Sequence, residues 1–254
     1  MTQLTLAIAG CTGRMGQALI ATAHGNKDVK IVAGGVRNTA KQQAAGLFVT
    51  SDPAVLVGKA DAVIDFTTPE TTLVLAREVA KTGGIIVIGT TGFSDGQQKK
   101  INECAKTARV VQSGNFSLGV NILESLVERT AALLNEEYDI EISEMHHKYK
   151  KDSPSGTALM LGRAAAKGRN VSFDKKSIVD HRGERKTGDI GFASLRGGDV
   201  VGIHNIMFAG NSELITLSHQ GFSRTIFATG AIAAALWVRD KKPGIYSMRD
   251  VIGL

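Results

Sequence analysis

The sequence has few of the residues that mark several classes of protein. Cysteine occurs only twice, at Cys11 and Cys104, which excludes a disulfide scaffold and favours a reducing compartment, so we expect the cytoplasm. Only 4 of the 254 residues are proline, which argues against a proline-rich linker protein. No basic segment precedes the first apolar run, so we predict no signal peptide. The apolar run AIAAALWV is much shorter than the roughly 20 residues of a membrane helix, so no membrane segment is expected.

Aromatic residues are also scarce, at 5% of the chain, while the net charge is +6 and the sequence pI is near 9.3. A basic chain can bind nucleic acid, but these basic residues are scattered along the sequence. Small anionic molecules would account for the charge equally well. We therefore predict a small-molecule partner and no nucleic acid.

Glycine, by contrast, is abundant, and three glycines form a pattern near the start of the chain. The apolar run LTLAIAG (4–10) continues into CTGRMG, which places Gly10, Gly13 and Gly16 in a G-x-x-G-x-x-G motif before a predicted helix. Such glycines let the backbone turn tightly and approach a pyrophosphate, which the helix N-terminus then binds. The alternative is an ordinary tight turn between strand and helix. The strand before the motif and the helix after it favour a dinucleotide site.

The alternation of strands and helices continues through the first half. Apolar runs predict strands at 29–35, 61–66, 85–89 and 109–116. Thr68-Pro69 and the pair Ser94/Gln97 predict helix starts between them, and Gly83-Gly84 a helix end. This order predicts an α/β fold with a Rossmann-like parallel sheet, and a dinucleotide-binding domain at 1–117.

The end of the second strand bears on the choice of cofactor. NAD-selective sites usually have an acidic residue there for the ribose hydroxyls, whereas this chain has Gly35-Val36-Arg37. Arg37 could pair with the 2′-phosphate of NADPH, so NADPH is favoured and NADH stays possible. The alternative is that Arg37 is a solvated loop cation.

The second half has a different pattern. A long helix is predicted from Leu118, and YDIEISE (138–144) alternates as a half-buried strand does. Further strands joined by Gly/Asn turns predict hairpins or near-hairpins. We expect an α+β domain at 118–222 with a mixed, mostly antiparallel sheet, for substrate binding and oligomerisation. The C-terminal segment 223–254, with a helix at about 223–238, is expected to complete the first domain.

The stretch EMHHKYKKDSPSGTA (144–158) concentrates groups that transfer protons and bind anions. His146 and His147 have a side chain that titrates near neutral pH, and Lys150 adds a cation. Ser155, Gly156 and Thr157 offer hydroxyls and N–H groups at a helix start, which suits a carboxylate. A metal site is disfavoured because adjacent histidines on a strand point to opposite faces and no further ligand is near. Lys148 and Lys151 are better explained as solvated loop lysines.

These motifs together resemble one enzyme family. The segments AIAGCTGRMG, DFT, GTTGF, NFSLGVN and E-x-H-H-x-x-K-x-D-x-P-S-G-T-A closely resemble the 4-hydroxy-tetrahydrodipicolinate reductases, also called dihydrodipicolinate reductases. The resemblance extends nearly end to end, including GDVVG and MRDVIGL. It implies NAD(P)H-dependent reduction of 4-hydroxy-tetrahydrodipicolinate, a small dicarboxylate, to tetrahydrodipicolinate in diaminopimelate and lysine biosynthesis. It also implies a homotetramer.

The resemblance assigns a role to particular residues. His146 corresponds to the proton donor and Lys150 to a second catalytic residue that donates a proton to the substrate or holds it electrostatically, while His147, Gly156 and Thr157 correspond to substrate contacts. The nucleotide-binding segments correspond to Gly10, Cys11, Thr12, Gly13, Arg14, Met15, Gly89, Thr90, Thr91, Ser113, Gly114, Asn115 and Phe116. This chain departs from the family where many members have an acidic residue before the arginine, because Val36 precedes Arg37. That departure agrees with the preference for NADPH.

Two other functions are compatible with a nucleotide-binding fold. A semialdehyde dehydrogenase needs a nucleophilic cysteine, and neither Cys11, in the glycine loop, nor Cys104, on the apolar face of a predicted helix, is suitable. A non-catalytic sensor of nucleotide redox state would need the glycine loop but not the pair His146 and Lys150.

Overall fold

A computed structural model of the chain describes residues 2–39 and 46–254. The chain folds into two compact units. The first comprises the chain up to Leu118 together with Arg224–Leu254, and the second comprises Gly119–Ser223. The assignment of nucleotide binding to the first unit and of substrate binding to the second stays a prediction.

The first unit is built on a seven-stranded sheet in which every recorded pairing is parallel. Its strands are β1 (Leu4–Ala9), β2 (Val29–Gly35), β3 (Phe48–Thr50), β4 (Ala62–Asp65), β5 (Ile85–Ile88), β6 (Arg109–Gln112) and β12 (Gly244–Tyr246). They lie in the order β12-β6-β5-β4-β1-β2-β3. Strands β4 and β5 are buried at every residue, as expected of the centre of a sheet with helices on both faces.

Helices cover both faces of this sheet and divide its core in two. The helices of the unit are α1 (Arg14–Ala23), α2 (Pro53–Gly58), α3 (Pro69–Thr82), α4 (Asp95–Cys104), α8 (Thr225–Val238) and α9 (Met248–Ile252). Side chains of α1, α8 and α9 form one core cluster with Leu6 and Ile8 of β1. Those of α2, α3 and α4 form the other, with Ala7 and Ala9 of the same strand. Because successive side chains of β1 point to opposite faces of the sheet, this one strand contributes to both core clusters.

The local signals for helix ends agree with the structure. Thr68 caps α3, Pro69 is its first residue, and Gly83 ends it with a φ of 65°. Ser94 and Gln97 form the expected capping box at the start of α4. The predicted strand at 109–116 is too long, because β6 ends at Gln112 and turns held by polar side chains follow it.

The second unit packs helices against a five-stranded mixed sheet. Its helices are α5 (Leu118–Leu133), which begins at the last residue of the first unit, α6 (Gly156–Gly168) and α7 (Phe173–Lys176). Its strands are β7 (Asp139–His146), β8 (Ser177–Val179), β9 (Ile190–Arg196), β10 (Gly202–Ala209) and β11 (Leu214–Gly221). They lie in the order β11-β10-β7-β9-β8. The predicted fold class, a Rossmann-like domain with a second mixed domain, is confirmed.

The pairing of strands in the second unit corrects one expectation. Strands β10 and β11 form the expected antiparallel hairpin, and β10 is also antiparallel to β7. Strand β9, however, pairs in parallel with β7 and with β8. The R-G-G-D turn between β9 and β10 therefore does not make a hairpin, because β7 lies between these two strands.

In the described ranges, no helix has both the length and the apolar composition needed to cross a membrane.

Gly230 in α8 allows a first prediction, about stability. A Cβ at this position would lie 1.7 Å from the carbonyl oxygen of Phe116, which is backbone and has no rotamer to change. We expect Gly230→Ala to destabilise the protein by about 3 kcal/mol, at the upper end of overpacking costs. Thermal unfolding should report a melting temperature lower by on the order of 10 °C.

Gly96 in α4 provides the control. Apart from its chain neighbours and the adjacent backbone of α4, no atom of the described residues lies within 4 Å of a Cβ built there, so Gly96→Ala should be neutral or stabilise by about 0.5–1 kcal/mol. If Gly230→Ala had the same melting temperature as the wild type, α8 would not approach Phe116 so closely.

Candidate functional site

The glycine motif forms a tight loop between β1 and α1. Gly10 has a φ of 71°, a conformation that side chains with a Cβ rarely adopt. Gly16 packs directly on the loop, since a Cβ there would lie 2.4 Å from the carbonyl oxygen of Gly10. Gly13 is the N-cap of α1, and no side chain among the described residues caps this helix. The first-turn N–H groups are thus left for another acceptor, as at phosphate-binding helix termini.

A cavity of about 490 Å³ lies beside this loop. Among the residues that line it are Gly10, Thr12, Gly13, Arg37, Asp52 and Phe66. The structure thus brings Arg37, two residues after the end of β2, to the same cavity as the glycine loop. Asp52 is the N-cap of the short α2, a helix that the sequence analysis did not predict.

The other predicted residues of the glycine segment lie outside the cavity lining. Cys11 is fully buried, and a Cβ at Gly34 would lie 2.5 Å from its Sγ. Burial raises the pKa of the Cys11 thiol, so this thiol is protonated near neutral pH. Arg14 is exposed, and Met15 packs against the core cluster of α1.

The remaining predicted nucleotide-binding residues follow β5 and β6 at the carboxyl edge of the sheet. Gly89 is required there because the Phe66 ring would lie 2.1 Å from a Cβ at its position. Phe66 also contacts Phe116 edge-on, with ring centroids 5.6 Å apart. Thr91 and Gly114 are exposed, and the Ser113 hydroxyl donates to the Asn115 carbonyl at 2.7 Å.

A buried carboxylate supports this edge, and the sequence analysis assigned it no role. Asp65, the last residue of β4, is fully buried and accepts hydrogen bonds from the hydroxyls of Thr67, Thr72 and Thr90. Burial raises its pKa despite these bonds. Thr90 in turn accepts from the Thr67 N–H at 3.0 Å. Asp65 thus holds two neighbouring loops of the predicted nucleotide site together.

In the second unit, His146 is the last residue of β7 and is 8% exposed. Its Nδ1 lies 2.5 Å from Oε2 of Glu144, two residues earlier on the same face of the strand. Burial lowers the pKa of His146, although Glu144 opposes that shift. Burial would by itself raise the pKa of Glu144, but the hydrogen bonds from Arg196 and His146 outweigh it, and the pKa is lowered.

Lys150 lies in the turn after β7. Its Nζ is 2.8 Å from Oδ2 of Asp152, and its side chain is one-fifth exposed. His147 is half-buried and has a buried Nδ1 for which the described residues supply no hydrogen-bond partner. Lys148 and Lys151 are exposed, as expected of solvated loop lysines.

The S-G-T segment forms the start of α6, as predicted. Ser155 is the N-cap, and its hydroxyl accepts from the Ala158 N–H at 3.2 Å. The same hydroxyl lies 3.2 Å from Nε2 of His204, and Ser155 is fully buried. Gly156 is exposed and Thr157 half-buried, so the N-terminal end of α6 reaches the surface at these two residues.

Sequence reasoning missed Glu144, Arg196 and His204, which surround His146. The signal for Glu144 was available, since the alternation that buries Ile140 and Ile142 on β7 also buries Glu144 and His146. His204 likewise lies on the inward face of β10. Over residues 2–39 and 46–254, no three His, Cys, Asp or Glu side chains are arranged as metal ligands.

Models of protein families match both units. One described as "Dihydrodipicolinate reductase, N-terminus" matches residues 4–116, and one described as "Dihydrodipicolinate reductase, C-terminus" matches residues 119–252. The chain belongs to the dihydrodipicolinate reductase family. The resemblance stated from the motifs is thereby confirmed, and this reductase is an oxidoreductase.

Curated relatives of this reductase are similar over its whole length. The 4-hydroxy-tetrahydrodipicolinate reductase of Beijerinckia indica is 48% identical, with 100% of this chain and 99% of the relative covered. That of Caulobacter vibrioides is 49% identical, with 98% and 96% covered. The solved dipicolinate-bound dihydrodipicolinate reductase of Paenisporosarcina sp. TG-14 has a TM-score of 0.81 at 25% identity, covering 99% of this chain and 100% of that one.

Proposed function

We propose that this reductase converts 4-hydroxy-tetrahydrodipicolinate into tetrahydrodipicolinate with a hydride from NADPH, as a step of diaminopimelate and lysine biosynthesis. The observation that carries the proposal is His146, a buried histidine paired with Glu144 at the end of β7, in the same motif as Lys150. The names of the full-length relatives support the choice of substrate. The homotetramer and the cytoplasmic location stay predictions.

The residues around the glycine loop fit a dinucleotide. The cavity of about 490 Å³ has the size of a small-molecule site, and the N-terminus of α1 beside it offers N–H groups to a phosphate. Arg37 lines the same cavity and can donate to a 2′-phosphate, while the neighbouring Val36 brings no carboxylate to repel it. We infer that Gly10–Met15, Arg37, Gly89–Thr91 and Ser113–Phe116 hold the cofactor. A nicotinamide nucleotide, when bound, supplies the hydride.

The start of α6 fits a carboxylate of the substrate. Gly156 and Thr157 lie in its first turn, and the helix dipole favours an anion there. Lys150 and His147 add one cation and one further hydrogen-bonding group from the turn after β7. Ser155 contributes by capping the helix, which orients the N–H groups that follow it. Dipicolinate, bound in the Paenisporosarcina relative, is itself a planar dicarboxylate.

The overall reaction needs one proton in addition to the hydride, so a single acid is sufficient. Loss of the 4-hydroxyl as water leaves a conjugated cyclic imine, which takes up one hydride and one proton. His146 in its protonated form gives up that proton and is left neutral. Lys150, as a cation, holds a carboxylate of the substrate and draws electron density toward it. General acids of this kind typically contribute about 10²–10⁴-fold to the rate.

The deciding experiment follows the oxidation of NADPH and of NADH while a synthase generates the substrate in the same cuvette. We expect oxidation that depends on the synthase product and is faster with NADPH. If the protein binds nucleotide and yet oxidises neither cofactor, the proposal is wrong and the redox-sensor function takes its place.

The dehydrogenase alternative is disfavoured by the environment of the two cysteines. Burial raises the pKa of both Cys11 and Cys104, so neither thiol is activated as a nucleophile. Cys104 is moreover packed against the core cluster of α2, α3 and α4.

Arg37→Ala tests the cofactor preference. A charge-assisted hydrogen bond contributes about 1.5–3 kcal/mol, so the dissociation constant of NADPH should rise roughly 10- to 150-fold. That of NADH, which has no 2′-phosphate, should change much less. Titration of each cofactor by fluorescence or calorimetry measures both.

Arg77→Ala is the matched control, since Arg77 is an exposed arginine on α3 that does not line the cavity. It should leave both constants unchanged. An equal loss for NADPH and NADH in Arg37→Ala would contradict the pairing of Arg37 with the 2′-phosphate.

A further inference from the structure

Glu144 is a buried carboxylate with no role so far in the reaction. It shares the inward face of β7 with Ile140 and Ile142, and its side chain is only 1% exposed. Burying a carboxylate on an apolar face is costly unless every oxygen is well paired, and an apolar residue would pack there at no such cost. The position of Glu144 is therefore better explained by what it binds.

Within the described part of the chain, four hydrogen-bond contacts to the Glu144 carboxylate are recorded. Arg196, the last residue of β9, donates from both terminal nitrogens, at 2.9 Å to Oε2 and 2.8 Å to Oε1. The Ser155 N–H donates to Oε1 at 3.1 Å. The fourth contact is Nδ1 of His146, at 2.5 Å from Oε2. The forked pairing with arginine is the geometry that fixes a carboxylate most firmly.

This arrangement determines which ring nitrogen of His146 can exchange a proton. An ionised carboxylate can only accept hydrogen bonds, so Nδ1 of His146 carries a hydrogen and donates it. Nε2 is then the atom that gains and loses the proton. A Cβ at Gly202 would lie 3.0 Å from this Nε2, so glycine at that position leaves the space beside Nε2 open.

The His146 ring also packs against a second histidine. His204 of β10 contacts His146 edge-on, with ring centroids 5.1 Å apart. Burial lowers the pKa of His204 to about 4, so it is neutral near neutral pH and adds no charge. His219, its partner on β11, also has its pKa lowered by burial.

We infer that Glu144 is the positioning residue of the reaction: it fixes the His146 ring with Nε2 as the proton-donating atom and stabilises the protonated ring, while Arg196 and Ser155 hold Glu144 in place. This inference rests on the proposed role of His146 as the acid. When the proton leaves Nε2 for the substrate, the Nδ1–H bond to Glu144 is kept. The same carboxylate thus orients the ring before and after the transfer.

The charges that face His146 determine the expected pH dependence. Burial, Lys150 and Arg196 lower the pKa of His146, and Glu144 raises it. Activity requires the protonated ring and so falls as the pH rises through this pKa. Removing the charge of Glu144 removes the opposing influence, so the fall should begin at a lower pH.

The test is the pH profile of Glu144→Gln. We expect the alkaline limb of its kcat to move to lower pH by about one unit or more, which is a loss of about tenfold or more at neutral pH. The loss should diminish as the pH is lowered, and the dissociation constant of NADPH should stay near that of the wild type. A purely structural role would instead lower activity by the same factor at every pH.

Glu141→Gln is the matched control. Glu141 lies on the same strand and pairs with an arginine, Arg185, but on the opposite face. It should leave the alkaline limb unchanged. If Glu144→Gln likewise left the limb unchanged while His146→Gln abolished turnover, Glu144 would have no positioning role and the proposed function would stand. If His146→Gln kept full turnover, the proposed acid itself would be wrong.

A second measurement does not depend on any Glu144 variant folding. Nitrogen-15 NMR of the histidine rings in the wild-type protein identifies which nitrogen is protonated, and comparison with His146→Gln assigns the His146 signals. We expect Nδ1 to carry the hydrogen in the neutral ring. The opposite tautomer, with hydrogen on Nε2 in the neutral ring, would overturn the inference.

Discussion

Replacing His146 by glutamine is expected to lower kcat by about 10²–10⁴-fold, the range that a general acid typically contributes. Glutamine is close to histidine in size and polarity but cannot become a cation that gives up a proton at neutral pH. The loss should therefore fall on kcat, because His146 lies in the second unit while the predicted nucleotide site lies in the first. The dissociation constant of NADPH should stay near the wild-type value.

The adjacent His147→Gln provides the comparison. His147 is the first residue after β7, and its ring is proposed to contact the substrate. This change should therefore raise KM more than it lowers kcat. Steady-state kinetics with both variants separate the two roles. A turnover number of His146→Gln equal to that of the wild type would remove His146 from the chemistry.

The parts of the fold that could be predicted are those with a local cause. The buried strands of the first unit appear as apolar runs, and β2 extends over the predicted 29–35, where only Lys30 is both polar and exposed and the strand ends in the buried residues Ala33, Gly34 and Gly35. The caps of α3 were readable because Thr68, Pro69 and Gly83 each satisfy a backbone requirement of a helix end.

Short elements and long-range pairings could not be predicted in the same way. Strand β3 has three residues and α2 has six, so neither contains enough repeats for a periodicity. The Asp52-Pro53 pair is nevertheless a local signal for the start of α2. In the second unit, the turn after β9 resembles a hairpin turn, but the choice of β7 as the neighbour of both β9 and β10 is made by contacts distant in sequence.

The residues of the candidate site likewise divide into those with a local sequence signal and those brought in by contacts distant in sequence. The motif around His146 and Lys150 was evident from the sequence because it gathers two histidines, several lysines and a helix start within a few residues. Arg196, by contrast, is 52 residues from Glu144, and only the parallel pairing of β7 with β9 brings the two together. Residues that orient a catalytic group from another strand have no local signature.

Lys150→Ala is the second large effect that we expect, and it falls mainly on KM. Lys150 Nζ now pairs with Asp152 at 2.8 Å, and we propose that a substrate carboxylate binds the same ammonium group. Loss of one charge-assisted hydrogen bond corresponds to roughly 10- to 150-fold in kcat/KM. The variant also leaves the Asp152 carboxylate without its cation, and its repulsion of an anionic substrate brings the expected loss toward the upper end of that range.

Two further variants separate these causes. Lys151→Ala removes the neighbouring exposed lysine and should leave kcat/KM unchanged. Adding Asp152→Asn to Lys150→Ala should restore part of the lost kcat/KM, because it removes the repulsion but not the missing hydrogen bond. If Lys150→Ala instead lowers kcat and leaves KM near the wild-type value, Lys150 acts as a second proton donor rather than as a carboxylate ligand. If neither constant changes, Lys150 is a solvated lysine like its neighbour, and the α6 N-terminus and His147 must bind the dicarboxylate without it.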